Sequence, residues 1–201
     1  MNNRPYFEEM IDAAKGIFSL IRGEQDKLGY FNFSQAGLVG SFIAVFIGLF
    51  LQELFSGPSP DGFDVPAWAN LVSYTILYAT PFIVAYGFLS IVGQRERMLP
   101  YMVVNNWASF FFTLIIVAIF IFHLLATVGY FIIVILTIIV FWRTSRIILG
   151  FTVPQTIIFF VATIMAVLIA AMISVNIMFA AAGIDPSTFL DMQQQTQPSG
   201  V

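Results

Sequence analysis

The chain has 201 residues, 59% of them apolar and only 9% charged, with a formal net charge of −3; an ordinary soluble domain is roughly 45–50% apolar and about 25% charged. Eight basic and eleven acidic side chains cannot cover a 22.4 kDa globule, and a mean hydropathy of +0.91 with 23 Phe makes lipid the main solvent. Those figures exclude a soluble enzyme, a nucleic-acid binder and a disordered chain, and the absence of Cys excludes disulfides, thiolate zinc sites and cysteine nucleophiles.

In chain order, residues 5–22 read as a helix. Phe7, Met10, Ile11, Ala14, Ile17, Phe18 and Ile21 recur at the three/four spacing that gathers them on one face. Pro5 suits the first helical position, Asn3 a cap, and Gly23 the end. Glu8, Glu9 and Asp12 come early and Lys15 and Arg22 late, matching the helix dipole. A helix of this kind beside a span is expected to lie in the membrane interface, either as an anchor or as a docking surface for a partner. The acids replace the basic start of a cleavable signal peptide, so the first span is expected to be a retained signal-anchor.

Charges then divide the chain into four uncharged stretches, Leu28–Gln52, Val65–Gln94, Met98–Trp142 and Ile147–Ile184. A span needs about 20 apolar residues. The first two stretches hold one span each, near Ala36–Leu51 and Trp68–Gly93. The third is long enough for two spans, turning between His123 and Gly129, close to His123. In the fourth, Gly150 and Pro154 disfavour a helix interior and predict a short interfacial piece before one span near Gln155–Ala182. Five spans result, and a sixth arises only if this last stretch folds as a hairpin.

Basic residues test the topology, because Lys and Arg stay on the cytoplasmic side. Arg4, Lys15, Arg22 and Lys27 precede the first span, Arg95 and Arg97 follow the second, and Arg143 and Arg146 follow the fourth. Five spans put all eight on one face, with the N-terminus cytoplasmic and the C-terminus outside. The expected layout is a polytopic all-α membrane protein: a cytoplasmic amphipathic arm (1–34), a five-span domain (35–183) and a flexible extracytoplasmic tail (184–201) rich in Gln. The inner face carries six acids beside its eight bases. That mild excess reads as an orientation signal, too small for a lipid-binding patch. Asp61 and Asp64 lie in the Gly/Pro-rich outer loop Ser56–Pro66 and read as solvated charges.

Ionisable groups inside membranes are functional candidates by default. Only Glu53 and His123 qualify, both at outer helix ends, as a proton-linked pair or as interfacial residues. No catalytic constellation, cofactor site or metal-ligand set appears, so no enzyme is expected. The distinctive polar cluster is Asn105-Asn106-Trp107 in the third span. An Asn in hydrocarbon needs a partner across a helix interface, and adjacent residues point about 100° apart. The pair is therefore either glue between helices or a contact for a substrate or partner. Asn176 in the last span is a weaker case, and Pro81 should kink the second span. Gly40, Ala44 and Gly48 in the first span, and Ala162, Ala166, Ala170 and Ser174 in the last, form small-residue stripes where backbones can approach. Trp68, Tyr101, Tyr130 and Trp142 lie near span ends, where an aromatic belt would sit.

A cytoplasmic N-terminal segment, five spans, a short outer tail, Asn106-Trp107 in the third span, the Phe/Ile hairpin and Arg143–Leu149 together resemble the Yip family, in particular its bacterial branch. The resemblance covers about residues 35–180. It implies a non-enzymatic membrane role in a bacterial inner membrane, or a eukaryotic endomembrane, and carries over no site residue. The leading expectation is a scaffold or accessory subunit that binds the bilayer and another membrane protein, or itself, through helix faces. The alternative is a small oligomeric transporter or channel component using polar groups in spans two and three.

Overall fold

The computed structural model describes residues 5–24, 28–55, 65–121 and 126–183, all helix and connecting turn with no strand among them. Six α-helices follow in order: α1 (Tyr6–Arg22), α2 (Gln35–Phe55), α3 (Ala67–Ile91), α4 (Met98–Ile121), α5 (Ala126–Arg143) and α6 (Val153–Ala181). Five helical segments are long and apolar enough to cross a membrane: Gln35–Phe55, Ala67–Ile91, Arg95–Ile119, Phe131–Ile148 and Val153–Ala181. The last expected span is therefore a single helix of 29 residues rather than a hairpin. The expected turn at His123 falls at 122–125, outside the described residues; Gly129 is already inside α5. The expected outer loop from Ser56 through Asp64 and the expected tail 184–201 also lie outside them, as do Asn3, Arg4 and Lys27.

Local chemistry sets the helix ends. Pro5 stands one position before the expected site: it is extended (ψ 140°) and caps α1 through its carbonyl, which accepts from the Glu8 and Glu9 amides. Gly23 closes α1 at φ +79°, where its amide and that of Glu24 bond back to Leu20 and Ser19, the left-handed cap that glycine favours. Ser34 starts α2, accepting the Gly37 amide at 3.2 Å while its own hydroxyl donates to Asn32 Oδ1 at 2.7 Å. Thr152 and Gln155 form a reciprocal cap on α6, with the Thr152 amide donating to Gln155 Oε1 at 2.8 Å.

The expected interfacial piece around Gly150 takes another form. The chain leaves α5 through a π-helical turn, Thr144–Ile148, then bends at Gly150 (φ +64°). Pro154 sits in the first turn of α6, where its missing amide costs nothing. Pro81 lies inside α3, which continues through it to Ile91.

The chain divides into two compact units, Met1–Gly57 with Ala85–Phe160, and Pro58–Val84 with Val161–Val201. The core of the first joins Ala13, Ile17 and Leu20 of α1 to Phe31, Ala44, Val103, Val104, Trp107 and Val140. A second aromatic group in the same unit gathers Phe159 with Phe88, Tyr101, Phe141 and Phe151 at ring separations of 5.1–6.2 Å. Tyr101 thus departs from the expected aromatic belt: it is 2% exposed, because its ring completes this cluster. Trp68 and Trp142 do face outward, and the Tyr130 side chain lies outside the described residues.

α1 is bound to the protein on a face other than its large apolar stripe. It buries Ala13, Gly16, Ile17, Ser19 and Leu20, while Phe7, Ile11 and Phe18 point outward and Met10 and Ile21 are half-buried. Of the expected apolar face only Ile17 is fully covered. The cause is steric. The Phe31 ring stands where a side chain on position 16 would be, within 2.6 Å of a Cβ there, so the docked face needs a glycine at that point.

Candidate functional site

α1, α2 and α4 meet at a polar junction within the first unit. The small-residue stripe of α2 creates it: Gly40, Ala44 and Gly48 are all buried. At Gly48, a Cβ would stand 3.4 Å from Phe110 and 3.5 Å from Thr113 of α4. At Gly40, it would stand 3.3 Å from Oε1 of Glu9 on α1. One glycine thus receives a neighbouring helix and the other a carboxylate.

Asn106 and Trp107 face this junction from α4, and both are 0% exposed. Asn106 Nδ2 donates to Ser41 Oγ at 3.0 Å, and Ser41 Oγ donates to the Leu38 carbonyl at 2.7 Å. A relay therefore links α4 to the backbone of α2. Such bonds between membrane helices contribute about 0.6 kcal/mol on average and at most about 2. The relay fixes register more than it adds stability. Asn105, about 100° round the helix, is only half-buried.

Tyr6 reaches the same place from α1. Its hydroxyl donates to the Gly40 carbonyl at 3.3 Å, and its ring lies 6.1 Å from that of Trp107. Burial, and then the nearby Glu9 carboxylate, raise the Tyr6 phenol above its ordinary value, since both disfavour a phenolate. Trp107 is packed further by Phe111 at 5.9 Å and Phe110 at 6.0 Å. Its indole Nε1 is buried with no hydrogen-bond acceptor among the described residues. The junction can hold helices in register and seat a carboxylate beside a glycine. Among the described residues no three His, Cys, Asp or Glu are grouped as metal ligands.

The other expected residues fall elsewhere. In the second unit, Ala170 and Ser174 of α6 are buried, whereas Ala162 and Ala166 are half-buried. Ser73 Oγ donates weakly to the Ser174 carbonyl at 3.4 Å. Asn176 is exposed and satisfies itself, donating to Met172 O of its own helix at 2.7 Å. Glu53 ends α2 as an exposed residue, and its expected partner His123 lies outside the described residues.

Sequence reasoning missed Tyr6, Glu9 and Ser41. A signal was available: Tyr6 and Glu9 are three apart and so share a helix face, and Ser41 adjoins Gly40 in the stripe. In comparisons with protein-family models, curated proteins and solved structures, nothing matches this chain.

Proposed function

We propose that this chain is a non-catalytic integral membrane scaffold or accessory subunit of Yip-like type, set in a bacterial inner membrane. In this reading its N-terminus is cytoplasmic, its C-terminus is outside, and it works by holding another membrane protein. The observation that carries the proposal is the destination of the polar groups in the spans. Asn106 bonds across helices to Ser41, and Asn176 is satisfied by the backbone of its own helix, so these two intramembrane amides are taken up by the protein itself. Transport needs such groups at a midplane cavity on broken helices. The outward Phe7–Ile11–Phe18 stripe of α1 is the second support: it suits an arm lying in the interface, beside the partner or the bilayer.

Mild-detergent purification of the tagged protein from its native membrane tests the function. The proposal expects stoichiometric co-purification of another membrane protein. A lone oligomer that conducts a solute after reconstitution contradicts it and favours transport. A reporter fused after Val201 tests the topology, and a cytoplasmic signal there would refute it.

A further inference from the structure

A second arrangement in the first unit concerns charge. Two carboxylates near the N-terminus are engaged close to home: Asp12 of α1 pairs with Lys15 at 2.9 Å, and Glu24, just past α1, lies 3.9 Å from Arg22. Arg97 and Arg146 have no ion-pair partner among the described residues, Glu96 included. Yet they converge on one dipeptide. The Arg97 guanidinium covers Gly150 so closely that a Cβ there would stand 2.9 Å from its Cζ. Arg146 Nη1 donates to the carbonyl of the next residue, Phe151.

Two guanidinium groups held against consecutive residues, with no carboxylate paired to either among the described residues, make a local positive potential that an anion bridging them would neutralise. Each guanidinium carries five N–H donors in a planar fork, and among the described residues only one of these ten is spent, on Phe151. The approach is built in by Gly150, which supplies both the positive φ and the missing Cβ. Two residues on, Thr152 caps α6, whose first turn adds its partial positive charge. The location also fits a lipid. Arg97 immediately precedes α4, Arg146 closes the span that continues from α5, and Gly150 precedes α6, so the three lie at apolar helix ends, where headgroups begin.

We propose that Arg97 and Arg146, with the Gly150-Phe151 turn, form a seat for the phosphate of an anionic phospholipid headgroup. The seat departs from the charge count, which argued against a lipid patch. A count of basic and acidic residues does not register where the fold brings two of the arginines together. The proposal rests on the membrane-spanning reading of the helices and is independent of the scaffold function.

The full-length protein, delipidated in neutral detergent, is titrated with phosphatidylglycerol, phosphatidylcholine or inorganic phosphate while retained lipid is read by native mass spectrometry. Saturable retention of phosphatidylglycerol over phosphatidylcholine is expected. Arg97→Lys with Arg146→Lys keeps the charge but loses the fork, and should weaken retention about tenfold or more. Arg95→Gln, which removes an exposed charge bonded to Ser90, should leave it unchanged. Equal retention of both lipids overturns the proposal. So does full retention by the double Lys variant, which reduces the effect to surface charge. Displacement of phosphatidylglycerol by millimolar inorganic phosphate would assign the seat to a soluble oxyanion and overturn the lipid assignment.

Discussion

The two compact units use similar sequence material differently. In the unit of Met1–Gly57 and Ala85–Phe160, the stripe Gly40, Ala44, Gly48 is fully covered, and its backbone and neighbouring serine take hydrogen bonds from Tyr6 and, by way of Ser41, from Asn106. In the unit of Pro58–Val84 and Val161–Val201, the stripe beginning Ala162, Ala166 is half-covered, and Ser73 reaches Ser174 at 3.4 Å. There α6 turns Val161, Met165, Leu168, Met172 and Val175 outward. Small residues four apart permit a close approach, but they do not supply the neighbour. In the first unit the neighbour is a helix carrying polar groups that need partners, and register follows.

Substitutions can break or sharpen this contrast. The largest expected effect is at Trp107. Replacing it with Ala empties a fully buried indole site and should cost about 3–5 kcal/mol, read as a shifted unfolding midpoint in a denaturant titration of the detergent-solubilised protein. Next is Gly48→Leu, which drives a side chain into Phe110 and Thr113 and should cost about 1–3 kcal/mol. In the second unit Ala166→Leu should stay within about 0.5 kcal/mol in the same assay, because its position is only half-covered. Equal losses at positions 48 and 166 would erase the contrast.

The relay gives a smaller, signed effect. Asn106→Leu and Ser41→Ala should each destabilise, and the double variant should lose less than the sum, with a coupling of about 0.6 kcal/mol and at most about 2. Additive losses would mean the bond carries no energy. Smallest is the alkaline response of α1. The Tyr6 phenol is raised in the folded protein, so its contribution is fully present below the ordinary value of 10.0 and is lost as pH climbs through the folded value. Hydrogen exchange of α1 should therefore rise at high pH in the wild type more than in Tyr6→Phe.

Much of this was legible in the sequence. Uninterrupted apolar stretches locate the five span-length helices, because only charge and turn residues punctuate such a chain. The glycine stripe of α2 and the buried Asn106 follow from the need for small or bonded groups where helices meet. The docked face of α1 was less accessible: hydrophobic spacing singles out Phe7, Ile11 and Phe18, while the fold buries Ala13, Gly16 and Leu20, with Gly16 under the Phe31 ring. Tyr101 misled for a related reason, since an aromatic near a span end suits either an interface or an aromatic core. The convergence of Arg97 and Arg146 on Gly150-Phe151 joins Arg97 to Gly150 across some fifty residues and sets Arg146 in a π-helical turn that carries no sequence signature.

In the proposed function the chain holds a partner through outward faces while its internal polar groups hold its own helices. Photo-crosslinking in the native membrane tests it most directly, with a photoreactive side chain placed in turn at Phe18 of α1, Met172 of α6 and buried Val104. The account predicts a discrete adduct with a second membrane protein from position 18 or 172 and none from position 104. Adducts with lipid alone at both outward positions, together with solute flux by the purified protein, would contradict it.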